Sequence, residues 1–530
     1  MSRRVVTVVA GVLALVLVVG GAVAALSALA SSRGDDRGSS PAAPSQAPSR
    51  EPVGDQPDPG ASKSPSPGLD TYYSQTLDWS ACGQGNECAT LSVPLDYEQP
   101  TGETIDLALL KVPAAEPDQR VGSLVVNPGG PGAPGTSYAA SAAQVFRDRL
   151  TDNFDIVGFD PRGTGESDPV DCLSDTQLDA YVAGDPDPET PAETQAYAEA
   201  TQRIGAGCVQ LSGDLASHVS TVEAARDMDV LRAALGRDRL DYFGASYGTK
   251  LGATYAELFP TKVGRFVLDG AVDPTLTNRD LNLQQATGFE TALRAYVQNC
   301  VDETSSCFLG EDVDTGIAAI KTFTDQVDEN PLPTDLDRDL TVGNAFYGIV
   351  APLYNRDYWV VLSQALRSGM GGDGTLLLQL SDLYTSRGAD GYTDNSTEAN
   401  YAINCLDDSS SITAGEVPAQ VAEFEAASPT FGAVFAWSLT NCSGVQTKAA
   451  ALAPTITGAG AAPIVVVGTS RDPATPYQWA VNLAGQLESG VLVSRDGDGH
   501  TAYNSGNECI DDTLESYLVD DAVPEDGLEC

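Results

Sequence analysis

Residues 240–249 read Leu-Asp-Tyr-Phe-Gly-Ala-Ser-Tyr-Gly-Thr, an apolar strand that runs into a Gly-x-Ser-x-Gly turn. A helical stretch follows over residues 249–258. A serine on a sharp strand-to-helix turn has a strained backbone, and glycines two positions away on either side avoid clashes. The positive end of the helix points at its hydroxyl. This order predicts that Ser246 is a nucleophile; the alternative is a glycine-rich turn with a spectator serine.

Five further short apolar runs match the strand before Ser246. They are residues 122–126, 154–159, 265–268, 463–467 and 491–494. Buried parallel strands have this composition because helices cover both faces of their sheet. Helices between them begin at capping-box signals over residues 190–193 and 220–223. The alternation predicts an α/β fold with a mostly parallel central sheet and helices on both faces.

Residues 274–454 break this alternation. They are helical in pattern and contain four of the ten cysteines. We expect a large, mainly helical cap inserted into a core whose two parts are residues 70–273 and 455–530.

The N-terminal residues predict export. Arg3 and Arg4 precede an apolar run over residues 5–30, which is typical of a signal peptide and is also long enough for a membrane anchor. Residues 31–69 are mostly Ser, Pro, Gly, Ala and Asp, a composition that predicts a disordered linker. The protein is therefore expected to be secreted or anchored on the outer face of the cell membrane, with residues 1–30 as the alternative membrane tether.

The cysteines support an oxidising compartment. Their number is even, and none forms a Cys-x-x-Cys cluster, so disulfides are favoured over a metal site. Spacing leaves many connectivities open; we favour pairing of neighbours along the chain, which closes small loops. The favoured pairs are Cys82–Cys88, Cys172–Cys208, Cys300–Cys307, Cys405–Cys442 and Cys509–Cys530.

The charge balance excludes one class of partner. Lys and Arg number 29 against 74 Asp and Glu, which leaves a formal charge of −45. A surface this acidic repels phosphate, so binding of nucleic acid is not expected.

Residues 127–132, Asn-Pro-Gly-Gly-Pro-Gly, follow the first of the five further runs. Glycines let backbone N–H groups approach a substrate oxygen, as an oxyanion hole requires. Gly129 and Gly130 are the candidate donors here, because Pro131 has no N–H. The second donor is expected from Tyr247, the residue after the nucleophile. A phosphate-binding loop is less favoured, because no Gly-Lys-Ser/Thr follows.

The chain contains two histidines, His218 and His500. Asp472 follows the run at 463–467, and His500 follows the run at 491–494. The chain order Ser, Asp, His is that of α/β-hydrolases, so we assign Asp472 as the acid and His500 as the base. His218 precedes Ser246 and is in the wrong place in this order.

Other acids remain as alternatives to Asp472. Asp269 and Asp273 follow the run at 265–268, where some relatives carry the acid. Asp498 is close to His500 in sequence, but a carboxylate in the same loop seldom points at the imidazole.

Five motifs together resemble the prolyl-aminopeptidase and tripeptidyl-aminopeptidase branch of the α/β-hydrolases. They are residues 129–132, 160–167 (Asp-Pro-Arg-Gly-Thr-Gly-Glu-Ser), 244–249, 472–476 and 499–500. The likeness covers residues 71 to 530 and is to the secreted, cap-bearing tripeptidyl aminopeptidases. It implies an α/β-hydrolase fold, the triad Ser246, Asp472 and His500, and a role for residues 160–167 in bracing the oxyanion loop. One departure is the absence of the lipobox cysteine that some relatives carry.

The resemblance also implies a function. We expect an exported serine hydrolase that releases tripeptides or other short peptides from free N-termini, with a peptide substrate and no metal or organic cofactor. Asp407 and Asp408 are candidate partners for the substrate ammonium. A carboxylesterase with the same triad and a non-catalytic exported binding protein remain as alternatives, and no oligomeric state is predicted.

Overall fold

The computed structural model describes residues 54, 56–303, 306–445 and 455–530. The predicted signal peptide or anchor, residues 1–30, lies outside these ranges, as does most of the predicted linker. No helix within the described ranges is long and apolar enough to cross a membrane.

Ten strands of the described residues form one sheet, and two more form a separate hairpin. The strands are β1 (Ser80–Gly83), β2 (Asn86–Pro94), β3 (Thr104–Val112), β4 (Gly122–Asn127), β5 (Phe154–Phe159), β6 (Leu240–Ala245), β7 (Val263–Asp269), β8 (Arg387–Gly388), β9 (Gly391–Tyr392), β10 (Ile464–Arg471), β11 (Gly490–Asp498) and β12 (Leu528–Glu529). The order across the large sheet is β1-β2-β3-β5-β4-β6-β7-β10-β11-β12. In this order, every pairing from β5 across to β12 is parallel, whereas the pairings β1–β2, β2–β3 and β3–β5 are antiparallel.

Both faces of the central parallel strands are buried. On β6, Leu240 and Tyr242 pack into the hydrophobic core of one face, and Phe243 and Ala245 pack into the core of the other. The same alternation continues on β7 and β10. Successive side chains of a strand point to opposite faces, so a strand covered on both sides is apolar throughout. This is why five of the six predicted strands are recognisable in the sequence; they are β4, β5, β6, β7 and β10. The sixth, β11, has one fully buried residue, Val493.

Helices cover the sheet and form the insertion. They are α1 (Asp70–Tyr73), α2 (Gly135–Ala140), α3 (Ala142–Val145), α4 (Asp148–Asn153), α5 (Asp175–Val182), α6 (Pro191–Ser212), α7 (Thr221–Ala234), α8 (Tyr247–Leu258), α9 (Asn278–Glu303), α10 (Val313–Glu329), α11 (Val342–Val350), α12 (Trp359–Met370), α13 (Thr375–Tyr384), α14 (Ser396–Asp407), α15 (Pro418–Ala427), α16 (Gly432–Trp437), α17 (Tyr477–Gln486) and α18 (Glu508–Asp520). Helices α7 and α8 pack on one face of the sheet, and α2, α3, α4 and α18 pack on the other.

The chain between β7 and β10 is a helical insertion with its own hydrophobic core. Helices α9 to α13, α15 and α16 supply that core. Helix α14 is the exception, because Ala399, Ile403 and Leu406 pack into the core against the central sheet. The insertion is therefore joined to the core through a helix in its own middle. Of the predicted cap, residues 446–454 lie outside the described ranges.

The end of the predicted linker differs from the expectation of disorder. Residues 56–69 are described, and Ala61 is 2% exposed. The carbonyl oxygen of Ala61 accepts a hydrogen bond from Arg232, and the N–H of Asp58 donates to the carbonyl oxygen of Gly236. These anchors are local contacts that a composition averaged over 31–69 does not reveal.

Five disulfides join cysteines that are neighbours along the chain, which is the pairing favoured from the sequence. The bonds are Cys82–Cys88, Cys172–Cys208, Cys300–Cys307, Cys405–Cys442 and Cys509–Cys530. Cys405–Cys442 fixes the C-terminal end of α14 to a later segment of the insertion.

Candidate active site

Ser246 lies on the turn between β6 and α8. Its φ is +56° and its ψ −125°, a strained conformation for a residue with a side chain. The turn closes tightly: a Cβ added to Gly244 would lie 2.5 Å from the carbonyl oxygen of Gly248, and one added to Gly248 would lie 2.9 Å from that of Asn127. Both flanking positions therefore require glycine on steric grounds. Helix α8 begins at Tyr247, two residues earlier than predicted, so its N-terminus adjoins Ser246 directly.

The glycine loop after β4 lies against this turn. Gly129 has φ +101°, and a Cβ there would lie 2.7 Å from the Cβ of Ser246 and 3.0 Å from the backbone nitrogen of Tyr247. The N–H of Gly129 donates to the side-chain oxygen of Asn127 at 3.0 Å. Among the described residues, the N–H groups of Gly130 and Tyr247 have no protein acceptor. Of the predicted donors, Gly130 and Tyr247 are thus free to bind an oxyanion, and Gly129 is not.

Asp472 and His500 are in direct contact. Nδ1 of His500 lies 2.9 Å from each carboxylate oxygen of Asp472. The carboxylate also accepts from the backbone N–H groups of Ala474, Thr475 and Thr501 at 2.8–3.1 Å. An ionised carboxylate only accepts hydrogen bonds, so Nδ1 carries the proton and Nε2 is the basic nitrogen.

Nε2 of His500 is buried and has no hydrogen-bond partner among the described residues. Burial lowers the pKa of His500, but the charge of Asp472 and its hydrogen bond raise it above the ordinary value. Asp472 thus holds the imidazole through Nδ1, and Nε2 remains available as a base.

The alternative acids have other partners. Asp273 accepts from the side-chain amides of Asn482 and Gln486. Asp498 forms ion pairs with Arg471 at 2.6 Å and with Arg356 at 3.2 Å.

Asp269 is buried, and its carboxylate accepts from the backbone N–H groups of Ala502 and Tyr503 rather than from the imidazole. His218 bonds through Nδ1 to Glu223 at 2.9 Å, and its carbonyl oxygen accepts from Arg162.

A family model described as TAP-like protein matches residues 428–530. Serine protease Hip1 of Mycobacterium tuberculosis is 35% identical over 481 residues, which cover 86% of this chain and 91% of the relative. The chain belongs to the TAP-like α/β-hydrolase family. It is a serine hydrolase of that family.

Two further relatives differ in the reaction that their names state. Carboxylesterase B of Mycobacterium tuberculosis is 35% identical over 496 residues, covering 89% of this chain and 93% of the relative. Tripeptidyl aminopeptidase of Streptomyces coelicolor is 28% identical over 479 residues, covering 86% of each chain.

The five disulfides of this TAP-like chain indicate that the protein has an extracytoplasmic location.

In this TAP-like protein, residues 160–167 are tied to both the glycine loop and α14. The carboxylate of Asp160 accepts from the backbone and hydroxyl of Thr136, which lies in α2 just after the glycine loop. The N–H of Gly165 donates to the side chain of Asn395 at the start of α14. The arrangement agrees with the bracing role that the sequence resemblance implies.

Arg162 of the same segment is fully buried and contacts Asp227 through two hydrogen bonds of 2.7 Å. Arg–carboxylate pairs with two parallel bonds have a fixed geometry. Arg162 therefore anchors the segment to α7.

The predicted ammonium partners do not fit that role. Asp407 forms an ion pair with Lys250 at 2.6 Å and accepts from the backbone N–H of Thr221 at 2.9 Å. Asp408 is exposed and accepts from the backbone of Ser410. The carboxylate of Asp407 joins α14 to α7 and α8 instead.

The insertion contributes one residue that the sequence analysis did not single out. The carbonyl oxygen of Tyr354 accepts the backbone N–H of His500 at 2.7 Å. The ring of Tyr354 packs edge-on against the imidazole, with centroids 5.3 Å apart. No local pattern in the sequence indicates this contact, because His500 lies 146 residues after Tyr354 in the chain.

Proposed function

We propose that this protein is an exported serine peptidase that removes short peptides, tripeptides above all, from free N-termini. The observation that carries the reaction is the state of His500, with Nδ1 on Asp472 and a basic Nε2 that no described residue occupies. The finer choice of an aminopeptidase is supported by the 28% identity to a tripeptidyl aminopeptidase and by the relative named as a serine protease.

The chemistry follows from these groups. Nε2 of His500 takes the hydroxyl proton of Ser246 as Oγ attacks the scissile carbonyl carbon. The carbonyl oxygen becomes an oxyanion bound by the N–H groups of Gly130 and Tyr247, at the positive end of α8. The imidazolium gives its proton to the leaving amine, which departs as the acyl-enzyme forms. Water then attacks the ester by the same steps and frees Ser246.

The experiment compares matched substrates. Tripeptidyl amides with a free N-terminus, their N-acetyl counterparts and short-chain esters are assayed at one pH as kcat/KM, with Ser246→Ala as the blank. We expect the free amides to be cleaved at least about a hundredfold faster than the acetylated ones, because acetylation removes the ammonium charge. Equal rates for both amides would indicate an endopeptidase.

A carboxylesterase is the second candidate, and the 35% identity to a relative of that name favours it. It predicts turnover of the esters without measurable cleavage of either amide. The same substrate panel therefore separates the two candidates.

A further inference from the structure

Asp269 connects the turn that carries Ser246 to the loop that carries His500. Its backbone carbonyl oxygen accepts the N–H of Ser246 at 2.9 Å. Its carboxylate accepts the N–H of Ala502 at 2.9 and 3.0 Å and the N–H of Tyr503 at 2.9 Å. One residue at the end of β7 thus bonds to both loops.

The proposed reaction does not use this carboxylate. Asp472 holds the imidazole, and Asp269 is 1% exposed with no hydrogen bond to His500. A buried carboxylate is unfavourable unless it is hydrogen bonded. The two N–H groups that satisfy it belong to residues 502 and 503, directly after His500 and Thr501. The cost of burial is therefore offset only while the loop stays in place.

Gly270, the residue after Asp269, packs closely against the loop that carries His500. Gly270 has φ +68°, and a Cβ there would lie 3.2 Å from Cε1 of His500 and 3.1 Å from Cγ2 of Thr501. The imidazole therefore lies next to Gly270, the residue directly after β7. A shift of the loop relative to β7 moves the imidazole relative to Ser246.

We propose that Asp269 is a positioning residue, whose ionised carboxylate holds the His500 loop against the nucleophile turn and whose protonation releases it. The inference rests on the proposed triad. Protonation turns one carboxylate oxygen into a hydroxyl, which is a poorer acceptor for the N–H groups of Ala502 and Tyr503. The loop then loses a bond while the Asp472–His500 contact remains.

The groups around Asp269 determine the pH at which its carboxylate becomes protonated. Burial raises the pKa of Asp269 to about 6, against the lowering effect of the Tyr503 and Ala502 N–H groups and of His500. Asp472 adds a raising effect. Arg495 and Tyr138 also interact electrostatically with this carboxylate. Asp269 therefore becomes protonated on the acid side of neutrality. Protonation of His500 removes the base as well, so two protons contribute to the loss of activity in acid.

The test is the acid limb of the pH profile. For the wild-type protein we expect log(kcat/KM) to fall with a slope steeper than one around pH 6, where Asp269 titrates. Asp269→Asn keeps the size of the side chain and removes the titration, so its slope should be one. At pH 8 its kcat should be 10- to 100-fold lower with KM within about threefold. Asp273→Asn, a buried aspartate four residues later that does not contact the His500 loop, should match the wild type in both slope and kcat.

Two results would overturn the inference: a wild-type slope of one, or Asp269→Asn with wild-type kcat and an unchanged slope. If tryptophan fluorescence shows that Asp269→Asn does not fold, the wild-type slope alone decides. A slope steeper than one around pH 6 supports the inference, and a slope of one contradicts it. Failure of the proposed function looks different, because the wild-type protein would then neither turn over the substrates nor react with a fluorophosphonate at Ser246.

Discussion

Asn400 donates a side-chain hydrogen bond to the carbonyl oxygen of Pro131 at 3.1 Å. This bond joins α14 of the insertion to the glycine loop that lies over Ser246. The glycine loop and α14 also approach closely at a second point, since a Cβ added to Gly132 would lie 2.6 Å from the carbonyl oxygen of Ser396. The insertion therefore helps to set the position of the Gly130 N–H.

Replacing Asn400 by Asp tests this link. A carboxylate facing a carbonyl oxygen repels it, and the loss of one positioning bond should lower kcat about tenfold, which corresponds to about 1.4 kcal/mol. The measurement is kcat and KM for one amide substrate. Asp408→Asn, just after the same helix, is the control, because Asp408 is exposed and its carboxylate accepts from the backbone N–H of Ser410. An unchanged kcat in Asn400→Asp would separate α14 from catalysis.

The two histidines form a natural matched pair. His500→Ala should lower kcat by at least about 10³-fold, because it removes the base that the proposed mechanism requires. His218→Ala should retain near wild-type activity, since the side chain bonds to Glu223 and the bond to Arg162 is made by the backbone. Steady-state kinetics on both variants decide the assignment. Inactivity of the His218 variant alone would contradict the chain-order argument.

Asp472→Asn should reduce kcat by on the order of 10³–10⁴-fold with little effect on folding. The asparagine amide would occupy one side of Nδ1 and favour the wrong tautomer. Asp273→Asn serves as the control, because the carboxylate of Asp273 accepts from the side-chain amides of Asn482 and Gln486 and not from the imidazole. Both variants are compared with the wild type at pH 8. Comparable losses in both variants would point to a general effect on the fold.

A pair of neighbouring carboxyls should make stability depend on pH. Burial and the charge of Asp185 raise the pKa of Asp187 to about 7. A carboxyl with a raised pKa contributes stability below its unfolded value near 4, and that contribution is lost as the pH rises through 7. Asp187→Asn should therefore raise the unfolding free energy by about 1–2 kcal/mol at pH 8 and change it little at pH 4.5.

Thermal unfolding at both pH values measures this effect. The exposed Asp390→Asn is the control and should leave the difference between the two pH values unchanged. A gain for Asp187→Asn that is equal at pH 4.5 and pH 8 would rule out the charge as its cause.

Local features of the sequence predicted the core of the molecule. The turn at Ser246 is recognisable because sterics fix its glycines within five residues, and the parallel strands are recognisable because both of their faces are buried. The antiparallel strands β1 to β3 escaped prediction, since their pairing depends on register with β5 rather than on local composition.

The errors at the site have the same origin. Asp407 is committed to Lys250, 157 residues earlier, and no local pattern marks that pairing. The sequence does not distinguish Gly129 from Gly130 as the oxyanion donor, because the hydrogen bond from the Gly129 N–H to the side chain of Asn127 is a feature of the folded loop. The sequence pattern identifies which residues approach one another, while the assignment of each hydrogen bond requires coordinates.

The sequential order of the disulfides bears on how the protein matures. The two cysteines of each pair are separated by 6 to 37 residues, and no cysteine of one pair lies between the two of another. A chain threaded across a membrane N-terminus first therefore delivers partners to the oxidising side one pair at a time. If each newly arrived thiol is oxidised with the unpaired thiol that preceded it, every native crosslink forms without reshuffling. Maturation then proceeds at the pace of translocation and does not wait for an isomerase.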